Sequence, residues 1–225
     1  MTLSEPPALL FADGLACRRG QRLIFEGLRL AVPAGGALLL IGPNGSGKSS
    51  LLRLLAGLLK EAAGSVQWRG QALGDDPAGQ LHYLGHQDAL KNVLTVAENL
   101  SFWARLHNPA MPAGRIEAAL AEMALTALKD LPAQLLSAGQ RRRLALARLV
   151  AAEAPLWLLD EPSVGLDHAS VGRLEAVIDN HRATGGIVVL STHIDLNVPD
   201  AQTLHLDHFA PRPRPMAQSG REAWL

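Results

Sequence analysis

Eight consecutive residues, Gly42-Pro43-Asn44-Gly45-Ser46-Gly47-Lys48-Ser49, follow the spacing G-x-x-x-x-G-K-S. Glycine-rich backbone can curl so that successive N–H groups point inward at phosphate oxygens. A helix N-terminus at the end of such a loop adds unpaired N–H groups and partial positive charge, which favour an anion. In this arrangement Lys48 reaches the β- and γ-phosphates of ATP and the Ser49 hydroxyl ligates Mg2+. The expected phosphate site therefore comprises these eight residues and the neighbouring Ser50.

A phosphate loop needs a metal-holding carboxylate at the end of a buried strand, and LWLLDEP (156–162) supplies one. Asp160 is expected to hold Mg2+ through its water shell, and Glu161 to polarise the attacking water as general base. Two single residues fit the same edge. Gln87, after LHYLG, is placed to orient water and Mg2+, and His193, after IVVLST, to touch the γ-phosphate.

The elements that must position these groups can be read from apolar patterning. ALLLI (37–41) is a continuous apolar run typical of a strand buried on both faces, and LLRLLAGLL (51–59) is apolar at helical spacing. Leu9–Arg18 and Leu23–Val32 read as strands joined by the turn Arg19-Gly20-Gln21. Gly64–Gln71 and Leu81–Gly85 read as further short strands, and WLLD and GIVVLST as buried ones. From Asp88 to about Ala152 the texture is helical, broken near Pro109 and Pro112. The expected architecture is one α/β domain over residues 1–225, with a nucleotide-binding core at 1–87 and 156–209. A helical subdomain occupies 88–155, and a loosely held Pro/Arg-rich tail 210–225.

Composition bounds the partners. Lys+Arg and Asp+Glu stand at 21 each, so the overall charge gives no case for nucleic acid as a main ligand. The local run Arg141-Arg142-Arg143 reads as a solvated helix face. Cys17 is the only cysteine, which rules out an internal disulfide, and the histidines show no paired metal spacing. The first residues, MTLSEPPALL, lack the pattern of a secretory signal, and no run approaches the roughly 20 apolar residues of a membrane span. The expectation is a soluble, intracellular chain that works at a membrane only through a partner.

One segment, Leu136-Ser137-Ala138-Gly139-Gln140, offers no acid, base, metal ligand or thiol within its last four residues. Its place in the order explains it: P-loop, Gln87, this segment, Asp160-Glu161, Ser163-Val164-Gly165-Leu166-Asp167, His193. That order resembles the ATP-binding-cassette ATPase family over nearly the whole chain. The resemblance implies a P-loop NTPase with a RecA-like parallel-sheet core, an N-terminal antiparallel β subdomain and an inserted helical signature subdomain. It also implies that LSAGQ is the signature motif and that ATP lies between two copies arranged head to tail. Ser137, Gly139 and Gln140 of one copy would then face the nucleotide on the P-loop of the other. The Ser137 hydroxyl and the Gly139 N–H, at a helix N-terminus, make a second anion-binding end. Ala138 stands where glycine is commoner in the family, which keeps the N–H and adds one methyl.

A second departure concerns adenine. The family usually carries an aromatic near the end of the first strand, whereas here the stretch is Ala16-Cys17-Arg18-Arg19-Gly20. Either a guanidinium plane stacks on the base, Arg19 being the choice because it directly precedes the turn, or the base is weakly held.

Within the family, YLGHQ, TVAENLSFWARLH, LSAGQRRRLALARL and GGIVVLSTHIDLNV are similar to the ATPase subunits of bacterial cytochrome c maturation systems. That likeness implies a peripheral protein on the cytoplasmic face of the inner membrane, paired with the membrane subunit CcmB and working with CcmC and CcmD. Its ATP hydrolysis would serve haem export or cytochrome c biogenesis by releasing the haem-loaded chaperone CcmE. The coupling surface would be Asp88–Arg105, with Phe102 and Trp103 either in the subdomain core or against the partner. A transporter ATPase for a lipid, lipoprotein or drug fits the same motifs. A non-transport cassette of DNA repair or translation would carry two cassettes or a long coiled-coil insert.

Overall fold

The computed structural model describes residues 8–72, 79–109, 112, 114–192 and 196–211. In chain order the first elements are β1 (Ala8–Arg19), β2 (Arg22–Pro33), β3 (Ala37–Ile41), α1 (Lys48–Leu55), β4 (Ala63–Trp68), β5 (Gln71–Ala72) and β6 (Leu81–Leu84). The helices α2 (Val96–His107), α3 (Arg115–Glu122) and α4 (Ala138–Ala151) follow, then β7 (Leu156–Asp160), α5 (His168–Ala183), β8 (Ile187–Ser191) and β9 (Gln202–His205).

Alternating side chains fold the amino-terminal strands into an antiparallel sheet of order β2-β1-β4-β5. Gly64–Gln71, expected as one strand, is divided between β4 and β5 by a tight turn at Arg69 and Gly70, whose φ angles are 52° and 77°. Two residues with positive φ give the turn whose twist suits a hairpin, and this shortens the strand on either side.

The second sheet is parallel, of order β6-β7-β8-β3-β9. It is a wall between two cores. Leu38, Leu40, Leu156, Leu158, Ile187 and Val189 face α1 and the antiparallel sheet. Trp157, Leu159, Val188 and Leu190 face α2–α5. Both faces are covered over β3, β7 and β8, so these three strands read as near-continuous apolar runs, broken only at the terminal Asp160 and Ser191. Together these sheets give the expected α/β architecture, a parallel-sheet core packed between an antiparallel β subdomain and an inserted set of helices. Among the described residues, no helix is long and apolar enough to cross a membrane.

Two elements lay outside the sequence expectation. Helix α5 joins β7 to β8, and β9 extends the parallel sheet beyond β3. A third result corrects it outright. Arg141–Arg143 is not a solvated face: Arg142 is only 5% exposed. Arg141 donates to Ala133 O and Asn92 Oδ1, and Arg143 to Met123 O and Ala124 O. The helical insert contains much irregular backbone, and guanidinium groups supply donors to the carbonyls of its turns.

Candidate functional site

Parallel strands bring all their carboxyl ends to one edge of the sheet, where ligands of open α/β folds bind. Here β3 leads into the Gly42–Ser49 loop, β6 into Gly85–Gln87, and β7 into Asp160-Glu161. Ser191, the last residue of β8, pairs in register with both Leu40 and Asp160. These segments therefore end level with one another, and Gln87 is exposed at that edge. The remaining expected member, His193, lies outside the described residues.

The phosphate loop turns on its glycines. Gly47 caps α1 with φ 108°, and a Cβ there would stand 2.7 Å from Ile24 Cγ2 and 3.0 Å from Phe25 Cδ1. Only glycine fits between this turn and β2. At Gly42 a Cβ would stand 2.8 Å from Ser46 Oγ, a buried hydroxyl with no hydrogen-bond partner. Lys48 is buried, and its Nζ donates to Gly42 O at 2.6 Å and Pro43 O at 3.3 Å. The ammonium thus lies along the loop, beside the unpaired N–H groups of the first turn of α1. Ser49 is exposed on that turn and Ser50 half-buried. A curled backbone, an aligned cation and an orphaned hydroxyl fit a polyphosphate.

Asp160 is 4% exposed, and its Oδ1 accepts a 2.8 Å hydrogen bond from Ser191 Oγ. A buried carboxylate at a strand end, with the Ser49 hydroxyl on the neighbouring helix, is a hard-oxygen donor set that fits Mg2+. Glu161 is half-buried with φ 48°, an uncommon conformation for a residue bearing a Cβ. Its N–H donates to Ser191 O at 3.2 Å and Ser191 Oγ at 3.0 Å.

The expected signature residues form a capping box at the start of α4. Ser137 Oγ accepts from Gln140 N at 3.3 Å, and Gln140 Oε1 accepts from Ser137 N at 2.8 Å. Gln140 is therefore engaged in its own helix end in this chain. Ser137 and Ala138 are exposed. A Cβ on Gly139 would stand 3.1 Å from Gly165 O, so a larger residue would crowd the Ser163–Asp167 segment. Asp167 caps α5 by accepting from Ser170 N, and hydrogen bonds from Ser170 hold its carboxyl below the usual range.

Arg18 and Arg19 are both exposed at the end of β1. The buried thiol of Cys17 distinguishes them. Burial pushes it up, while the Arg19 guanidinium and a hydrogen bond with Ser50 pull it down.

Three features escaped the sequence. Arg142 was hidden in a charge run, and Ser191 was the only polar residue of an otherwise apolar strand, a signal that could have been used. The histidines carry no metal spacing along the chain, yet ligand atoms of His205, Asp207 and His208 lie within 4.8 Å of one another on the exposed surface at the end of β9.

The family described as ABC transporter matches residues 25–164. The cytochrome c biogenesis ATP-binding export protein CcmA of Paramagnetospirillum magneticum is 61% identical over 88% of this chain and 94% of its own length. The protein of the same name from Rhodospirillum rubrum is 55% identical over 93% and 90%. Among solved structures, a putative ABC transporter ATP-binding protein from Pyrococcus furiosus superposes with a TM-score of 0.80 at 24% identity, covering 90% of this chain and 99% of that one.

Proposed function

The chain belongs to the ABC transporter family, and on that premise we propose that this ATP hydrolase drives a cytochrome c biogenesis exporter. The observation that carries the reading is the 61% identity to a protein of that name over 94% of its length. On this reading the complex exports haem, and hydrolysis releases a haem-loaded chaperone CcmE. CcmB, CcmC and CcmD are its membrane partners. The chain would sit peripherally on the cytoplasmic face of the inner membrane.

The proposed chemistry is shared between two copies. The loop from Gly42 to Ser50 cradles the phosphates of ATP, with Lys48 swinging from Gly42 O to the β- and γ-phosphates. Ser49, Asp160 and Gln87 would hold Mg2+, which supplies charge neutralisation of the phosphates when bound. Glu161 accepts a proton from the attacking water as that water adds to the γ-phosphorus, and ADP leaves with the bridging oxygen. His193 is assigned to the γ-phosphate and Arg19 to adenine. Ser137 and Gly139 of the second copy complete the site, since a helix N-terminus favours the anionic γ-phosphate.

The coupling surface is supported by exposed groups on α2. Phe102 is 40% exposed and, with Ala97, Ser101, Arg105 and Leu106, lines a groove of about 660 Å³. Trp103 instead turns inward, with the Arg148 guanidinium 4.5 Å from its ring centroid.

Glu161→Gln keeps the shape of the side chain and removes the base. In the membrane complex it is expected to accumulate an ATP-bound dimer on size-exclusion chromatography with Mg-ATP, and to stop c-type cytochrome formation in cells. A persistent monomer with normal turnover would overturn the composite site. Normal cytochrome c levels with turnover abolished would overturn the biological assignment alone.

A further inference from the structure

Arg142 has no assigned role in binding or hydrolysis, yet every N–H of its guanidinium is used. Nε donates to Pro162 O at 3.0 Å. Nη1 donates to Gly85 O at 3.2 Å and Asp88 Oδ1 at 3.0 Å. Nη2 donates to Asp160 O at 3.1 Å and Glu161 O at 2.8 Å. The side chain springs from the second turn of α4, the helix whose amino-terminal end carries Ser137 and Gly139. One buried group therefore joins three segments distant in sequence: the signature helix, the loop carrying Gln87, and the loop carrying Asp160 and Glu161.

Its shortest contact falls on Glu161, one of five non-glycine residues with positive φ among those described. A positive φ at a residue with a Cβ persists only where the surroundings over-determine it. At Glu161 the surroundings are Ser191, which accepts the N–H, and Arg142, which donates to the carbonyl. The peptide groups on both sides of Cα are thereby fixed, and with them the direction in which the carboxylate leaves the chain.

We propose that Arg142 is a positioning residue that clamps Glu161 in its left-handed conformation and links it to the Gln87 segment. Engagement of the signature end of α4 is thereby transmitted to the general base. The proposal rests on the reading of Glu161 as that base. Arg142 is buried and its five donors are spent on protein groups, so its loss should leave ATP binding intact and slow the chemical step. Lysine cannot replace it, because one ammonium cannot reach five acceptors laid out around a planar fork.

The test is steady-state ATP hydrolysis by the full chain in its membrane complex, with folding checked by thermal melting. Arg142→Lys is expected to lower kcat about 10- to 100-fold, the range of a misaligned general base, with KM for ATP changed less than about threefold. In a Glu161→Gln background the same substitution should produce no further loss of rate and no loss of the ATP-bound dimer. Asp88→Asn removes one ion pair and leaves the Glu161 contact, so its expected loss is under about threefold.

A folded Arg142→Lys chain with normal kcat, or an additive loss in the Glu161→Gln background, would overturn the clamp. So would an Asp88→Asn chain as impaired as Arg142→Lys. If Glu161→Gln itself keeps full turnover, the general-base reading fails first and the clamp falls with it.

Discussion

The Ser191 hydroxyl donates to the Asp160 carboxylate across the β7–β8 pair, and the bond is closed to solvent. The same oxygen accepts the Glu161 N–H, so one small side chain holds two adjacent carboxylate residues from the neighbouring strand. Removing it takes the hydroxyl donor from the buried Asp160 carboxylate and leaves the Glu161 N–H with the Ser191 carbonyl alone. Ser191→Ala should destabilise the fold by about 1–3 kcal/mol, seen as a fall in melting temperature of roughly 2–10 °C for a domain of this size. The concentration of Mg2+ needed for half-maximal ATP hydrolysis should rise as well. An unchanged Mg2+ requirement would argue that Asp160 does not depend on Ser191 for its orientation.

Arg19 should matter for ATP affinity and not for the chemical step. A guanidinium over adenine contributes about 0.5–2 kcal/mol, so Arg19→Ala should weaken ATP binding roughly 2- to 30-fold with saturated turnover nearly unchanged. Tyr at the same position should restore affinity. Arg18→Ala is the control, and equilibrium binding of a fluorescent ATP analogue reads all three. A loss confined to Arg18→Ala would move the adenine contact to the other arginine.

Phe102 and Trp103 should separate cleanly. Trp103 packs under Arg148, and Trp103→Ala should destabilise the chain by about 1–3 kcal/mol in urea unfolding. Phe102 is exposed with Lys91 Nζ 4.5 Å above its ring, and Phe102→Ala should alter stability by less than about 0.5 kcal/mol. The same substitution should reduce recovery of the membrane subunit on copurification. Undiminished recovery would place the coupling surface elsewhere.

Acid should weaken the fold through two buried histidines. His82 is buried, hydrogen-bonded through Nε2 to Ala152 O at 2.8 Å, and its pKa is lowered to about 3, chiefly by burial. His181, stacked on Trp157, is lowered in the same direction to about 4. The unfolded chain protonates both near pH 6.5, whereas the folded chain keeps them neutral to much lower pH. Stability is therefore flat above about pH 6.5 from these groups and falls as pH drops below it. His82 alone contributes a loss of about 2 kcal/mol by pH 5. Urea unfolding at pH 7.5 and pH 5 measures this, and His82→Gln should reduce the difference by the His82 share, leaving that of His181.

The phosphate loop and its strand–loop–helix setting were legible because glycine spacing and buried apolar runs are local signals. Gln87 and the Asp160-Glu161 pair were legible because each follows such a run, and a parallel sheet sends all those ends to one edge. Helix α5 was not, since HASVGRLEAVIDNHRA spreads its apolar residues around the helix instead of along one stripe. Strand β9 is short and largely exposed, and its place beside β3 is fixed by pairing, not by composition. Arg142 was misread for a related reason. Sequence reports that three arginines adjoin, and only the fold reveals which carbonyls converge on the middle one.

Position 161 also bears on how such a chain can vary. Its backbone geometry favours glycine or asparagine, which adopt positive φ readily, while hydrolysis on the proposed reading calls for a carboxylate. Substitutions that relieve the geometry would make a sturdier protein that no longer turns over. Selection for stability alone would thus pull this site away from selection for activity. A lineage relieved of the need for hydrolysis should lose its glutamate here early, and gain thermal tolerance as it does.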